Sequence, residues 1–158
     1  MRGKQSADIT HRAKDVSYKA TKSNVEFSLN LVGVYPNAGI NSWMRTVTLN
    51  RGKNVQIKDV ADLKRADAVT QHLMTCYPAE VFKPGEVVIH YKSKDGKNID
   101  FVVKYDDKQM LAKVEKITLE AEEDIDVRQN WGDNIHRINF EVIAPKTRDA
   151  MILEVKKM

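Results

Sequence analysis

Residues Tyr35–Gly52 read YPNAGINSWMRTVTLNRG. A turn marked by Pro36 and Gly39 opens into a run in which Trp43, Arg45, Val47 and Leu49 alternate with Met44, Thr46 and Thr48. Period-two alternation is what a β-strand imposes, because successive side chains leave opposite faces of the pleat. The run stops at Asn50, Arg51, Gly52 and Lys53, where Gly52 can take the positive φ that a tight turn needs. Val55 and Ile57 are therefore expected to return antiparallel to the Trp43 strand.

The same period recurs on both sides of this stretch. Val25, Phe27, Leu29 and Leu31 alternate with Glu26, Ser28 and Asn30. Val87, Ile89 and Tyr91 lead into Lys94, Asp95, Gly96 and Lys97, and Ile99, Phe101, Val103 and Tyr105 alternate beyond it. Asp-Gly between two alternating runs is the strongest hairpin signal in the chain. Asp106 to Lys108 turns into a strand over 110–119, and 135–143 and 150–155 supply the last strands. The one stretch of helical composition, Val60 to Ala68, is short and charged, and isolated short helices are marginal without packing. Many short strands between Gly and Pro turns predict an all-β fold, an antiparallel β-sandwich of two packed sheets with little or no helix. Residues 1–13, polar and without alternation, are expected to be a loosely held lead-in, and 14–158 a single sandwich domain.

The composition suits a chain that buries a core: 158 residues, 42% hydrophobic and 30% charged. No apolar run approaches the roughly 20 residues of a membrane-spanning helix, and the start of the chain lacks the apolar middle of a secretion signal. Cys76 is the single cysteine and cannot close an intrachain disulfide. The net charge of +4 comes from 26 basic and 22 acidic residues that interleave, which describes a mixed solvated surface and no nucleic-acid face.

His11, His72, His90 and His136 show no metal-ligand spacing, so no metal or other cofactor is expected. His72 and Cys76 have the residue types of a nucleophilic pair, but four residues along one strand separate them by about 13 Å. Surface or hydrogen-bonded histidine is the expected role of His72 and His90. The glycines are scattered among turns and form no phosphate-binding loop.

Several short patterns, taken in order, resemble a known family. They are Lys14 to Tyr18, the Tyr35-Pro36 loop with the Trp43 to Thr46 strand and the Asn50 to Gly52 turn, Leu73 to Thr75, Trp131-Gly132, and Ile135 to Ile138. Together they span about Lys14 to Lys156 and resemble the C-terminal β-sandwich of heparinase II/III-like polysaccharide lyases, in the heparinase III-like branch. The resemblance implies a periplasmic or secreted parent enzyme with an α-helical toroid upstream of the sandwich. Such enzymes cleave uronate-containing acidic polysaccharides, glycosaminoglycans among them, by β-elimination. A base removes the proton α to the sugar carboxylate, an acid protonates the leaving oxygen, and a third group neutralises the carboxylate. In the family these groups come from the toroid and from the first part of the sandwich, so no catalytic residue is carried onto this chain.

Contact with an acidic polysaccharide would fall to Arg45, Arg51, Trp131 and Arg137. Each also has a bland reading. Trp131 can stack on a sugar ring or pack at a sheet edge. Arg137 can hold a sulfate or carboxylate by a bidentate bond. Arg45 shares a face with Trp43 and Val47, which favours a cross-strand ion pair, and Arg51 at a turn tip favours plain solvation. Two function classes stay open: a noncatalytic sandwich that supports a catalytic toroid and walls its substrate cleft, and a free-standing carbohydrate-binding or adhesion module. An extended apolar patch on one sheet face would favour the first, and a ridge of exposed aromatics the second.

Overall fold

The computed structural model describes residues 10–35 and 39–158. Most of the lead-in, and Pro36 of the Tyr35 loop, lie outside the described residues. The chain is 60% strand and 9% helical, as the alternation predicts, and its strands pair antiparallel throughout the ladders described below. It divides into two compact units: Met1–Asp67 with Pro145–Val155, and Ala68–Ala144 with Lys156–Met158.

The first unit holds β1 (Lys14–Ala20), β2 (Asn24–Asn30), β3 (Ile40–Asn50), β4 (Asn54–Leu63) and all but the last two residues of β11 (Arg148–Lys157), hydrogen-bonded in the order β1-β2-β3-β4-β11. Leu31, read as the end of a strand, instead begins a 3-10 turn over Leu31–Gly33, because the Asn30 side chain accepts from the Val32 N–H and caps it. The hairpin between β3 and β4 forms as read, with Asn50 opposite Asn54 and Gly52 at φ +72. Val60 to Ala68 is not a helix. β4 runs through Leu63, since Ala61 and Leu63 are buried on the alternation of a strand.

Register makes this sheet two-faced. Phe27, Val47, Ile57 and Leu153 form one cross-strand row, and Val25, Leu49, Val55 and Val155 the next. The opposite face carries Ser28, Thr46, Lys58 and Ile152 in one row and Glu26, Thr48, Gln56 and Glu154 in the next, with the Ser28 and Thr46 hydroxyls 3.2 Å apart. Burial on the apolar face falls across the sheet. Leu153 is 0% exposed on β11, Phe27 is 42% on β2 and its partner Tyr18 is 80% on β1.

The second unit is a small sandwich. One layer has β6 (Ala79–Lys83), β7 (Glu86–Lys92) and β8 (Asn98–Lys104), and the other has β5 (Thr70–Thr75), β10 (Asn134–Val142) and β9 (Met110–Thr118) in the order β5-β10-β9. Val87 and Val103, directly opposed on β7 and β8, are fully buried, as are Ile138 and Phe140 on β10 and Met110 on β9. The Tyr105 ring meets Phe140 edge-on at 5.2 Å, which ties the layers together. β6 escaped the sequence reading although Pro84-Gly85 marks its turn: Lys83 faces Glu86, and Gly85 sits at φ +81. The Asp95-Gly96 hairpin forms one residue wider than a two-residue turn. Gly96 N–H donates to Ser93 C=O, Ser93 N–H donates to Lys97 C=O, and Gly96 lies at φ +82.

One helix, α1 (Ile125–Trp131), was not expected. Glu122, Glu123 and Asp124 precede it in a 3-10 turn and Gly132 ends it at φ +85, a charge and capping pattern suited to a helix. Seven residues are too few for the helical period to register in the sequence.

Candidate functional site

Arg45 and Arg51 belong to the first unit, and Trp131 and Arg137 to the second. Arg45 stands opposite Asp59 in the β3-β4 register. Its Nε lies 2.7 Å from Asp59 Oδ1 and a terminal nitrogen 2.6 Å from Oδ2. This is a fork-on-fork pair, and the Asp59 side chain is 0% exposed. The hydrogen bond to Asp59 raises the Arg45 pKa against the opposing effect of burial. Asp59 therefore occupies the edge of the guanidinium that would clasp a ligand carboxylate. Arg51 projects at the exposed β3-β4 turn, its N–H donating to Ser23 C=O, about 20 Å along the strand from Arg45.

Trp131 is not at a sheet edge. It ends α1 and is 47% exposed, on a helix whose Ile125 and Val127 are also exposed. Arg137 on β10 faces Glu115 on β9 and binds its Oε2 through two nitrogens at 3.1 and 2.6 Å, on the outer face of the layer. That bond holds the Glu115 carboxyl below its ordinary pKa. Arg45 and Arg51 thus stand apart on the first unit, and in each unit the arginine within a strand already has a carboxylate.

His72 and His90 are likewise engaged. His72 Nδ1 lies 2.6 Å from Asn139 Oδ1 across the β5-β10 ladder. β5 stays extended through Thr75, so Cys76 and His72 remain separated as the spacing requires. His90 on β7 sits between two carboxylates, with Nδ1 3.0 Å from Asp100 Oδ1 on β8 and Nε2 3.4 Å from Glu80 Oε1 on β6. The Asp100 bond, then Glu80, raises the His90 pKa. His136 turns inward from β10, opposite Thr75 and Lys116, with its Nδ1 buried and unpartnered. Burial, and then Lys116, lowers its pKa. Sequence reasoning named these histidines without the partners, because Asp100 and Glu80 reach His90 only through strand register.

No group of His, Cys, Asp and Glu among the described residues has the arrangement to hold a metal ion. No helix among them is long and apolar enough to cross a membrane. What the geometry offers is a pair of structural ion clasps, a carboxylate-bracketed histidine, and a broad apolar sheet face.

The fold is similar to that of part of a solved lyase. Two solved structures of heparan sulfate lyase HepC from Pedobacter heparinus, one of them a mutant, match with a TM-score of 0.65 at 13% sequence identity. Each match covers 92% of this chain and 22% of the lyase chain, so the chain spans about a fifth of the length of the structures it matches. The resemblance drawn from the sequence extends to the fold. No family model matches the chain, and no curated protein does.

Proposed function

We propose that this chain is the noncatalytic C-terminal β-sandwich of a polysaccharide lyase that cleaves uronate-containing acidic polysaccharides by β-elimination. In that role it supports the catalytic toroid and forms a wall of the substrate cleft. The observation that carries the reading is the fold likeness over 92% of the chain to a minor part of a heparan sulfate lyase. The apolar face of the first unit supports it. Phe27, Val47, Ile57, Leu49 and Val55 form a largely aliphatic surface, and a contiguous apolar patch of this kind marks a face that a neighbouring domain covers. The alternative, a free-standing carbohydrate-binding module, is favoured less: Tyr18 and Phe27 pair on one sheet face, but Tyr77, Phe82 and Trp131 are exposed elsewhere, so the exposed rings among the described residues do not line up along a single face.

Catalysis is assigned to other parts of the parent enzyme. β-Elimination needs a base, an acid and a carboxylate neutraliser converging on one sugar. Here His72 and His90 are hydrogen-bonded to neighbours, His136 is turned inward, and Arg45 and Arg137 hold carboxylates of the protein itself. The test follows ultraviolet absorbance of the unsaturated uronate product. The purified chain is expected to produce none from heparan sulfate, heparin, hyaluronan or alginate, while the polypeptide of the complete reading frame cleaves at least one. Sustained product from this chain alone, lost on changing His72, His90, His136 or Tyr91, would overturn the reading.

A further inference from the structure

We infer that the free edge of β5 is where the second unit receives one more strand, contributed by the remainder of a longer polypeptide. Three observations lead there. The first is the backbone of β5. Val142 N–H donates to Val69 C=O, and antiparallel bonding alternates, so Gln71, Leu73 and Thr75 turn their backbone groups toward β10. Thr70, His72 and Met74 turn theirs away, to an edge with no neighbouring strand among the described residues.

The second is the lack of protection. Sheet edges that face water are normally blunted by charges, prolines, bulges or shortness. β9 carries Lys113, Glu115 and Lys116, and β6 is five residues long with Glu80, Lys83 and then Pro84. β1 carries Lys14 and Lys19 and is kinked where Asp15 takes φ +50 and the register shifts. β5 reads TQHLMT, with no lysine, arginine, aspartate or glutamate, no proline, no glycine and an unbroken register to β10. It is an edge built to be paired.

The third is Gln71. Its side chain is 1% exposed, and both amide atoms are buried without a hydrogen-bond partner. Buried amides without partners are rare, and each calls for an explanation. On its free side Gln71 would occupy a non-hydrogen-bonded pair, the kind in which facing side chains come closest, with Cα atoms about 4.5 Å apart. A polar residue at that place in the added strand would satisfy the amide.

The occupant is a strand in cis because the solved structures that share this fold devote only 22% of their chain to it. This rests on the proposed function in that both take the chain as part of a larger polypeptide, so the experiment reads the two separately. Hydrogen exchange resolved to single amides is measured on the 158-residue chain and on the polypeptide of the complete reading frame, beside a lyase assay of the latter. In the isolated chain the amides of Thr70, His72 and Met74 are expected to exchange at least a hundredfold faster than those of Gln71, Leu73 and Thr75. In the longer polypeptide all six are expected to be protected. Met74→Pro, which removes only an edge-facing N–H, should leave the isolated chain folded and abolish the added protection. Gln71→Leu should raise the melting temperature of the isolated chain and lower that of the longer one. Fast exchange at Thr70, His72 and Met74 in a longer polypeptide that is an active lyase would overturn the edge inference alone. Protection there without lyase activity would uphold the edge and sink the proposed function. Protection that grows with concentration of the isolated chain, together with a dimer mass, would assign the edge to a second copy and overturn the strand in cis.

Discussion

Arg45 on β3 and Asp59 on β4 face each other across an antiparallel register and form a bidentate pair whose carboxylate is fully buried. They stand in a row with Leu29 and Met151, between the Val47 and Ile57 row and the Trp43 and Ala61 row of the same face. Arg45→Ala would leave the Asp59 carboxylate buried without its partner. Breaking a buried pair from one side costs about 3–5 kcal/mol. Urea unfolding should register that loss. Replacing both residues, Arg45→Met with Asp59→Leu, should recover most of it, and a double variant as unstable as the single one would show that the pair is not what holds the row.

Gly96 lies at φ +82, and no atom comes within 4 Å of the place a Cβ would take, so a side chain there meets backbone strain and no crowding. Gly96→Val should destabilise by about 1–2 kcal/mol or more, the cost of a β-branched residue in the left-handed region. Gly33 is the opposite case. A Cβ there would run into the carbonyl oxygen of Arg12, so Gly33→Ala should also lower the melting temperature, through collision. An unchanged melting temperature in either variant would contradict the geometry at that turn.

His90 makes stability depend on pH in a direction that can be checked. Asp100 and then Glu80 raise its folded-state pKa. Its contribution is therefore complete below the unfolded value of about 6.5 and is lost as pH rises through the higher folded value. His136, lowered by burial, works the other way: it favours folding above its unfolded value and the gain is lost as pH falls through the lower folded value. His90→Gln should reduce the melting temperature most on the acid side of neutrality and least in base. A loss that is the same across that range would mean the imidazole is not charged in its carboxylate bracket.

The apolar face of the first unit should be reachable by solvent probes. Tyr18 and Phe27, paired across β1 and β2, are both exposed and support no core, so Tyr18→Ser with Phe27→Thr should leave the isolated chain folded. The double variant should bind less of an environment-sensitive dye and aggregate at higher concentration than the parent. Dye binding that stays the same would place the accessible apolar surface elsewhere.

The strands and most of their turns were legible in the order of residues. Alternation is a property of near neighbours in the chain, so Val25 to Leu29, Trp43 to Leu49 and Ile99 to Val103 announce their pleat without knowledge of what they pack on, and Gly52 and Gly96 announce the positive φ of their turns. α1 was illegible because a single short helix yields no period, and β6 because Pro84-Gly85 follows too short a run. Who meets whom emerged only on folding. That Asp59 takes Arg45, that Glu115 takes Arg137, and that Asp100 and Glu80 bracket His90 depend on register between strands. Register is set by pairing across the sheet, where residues far apart in the chain become neighbours.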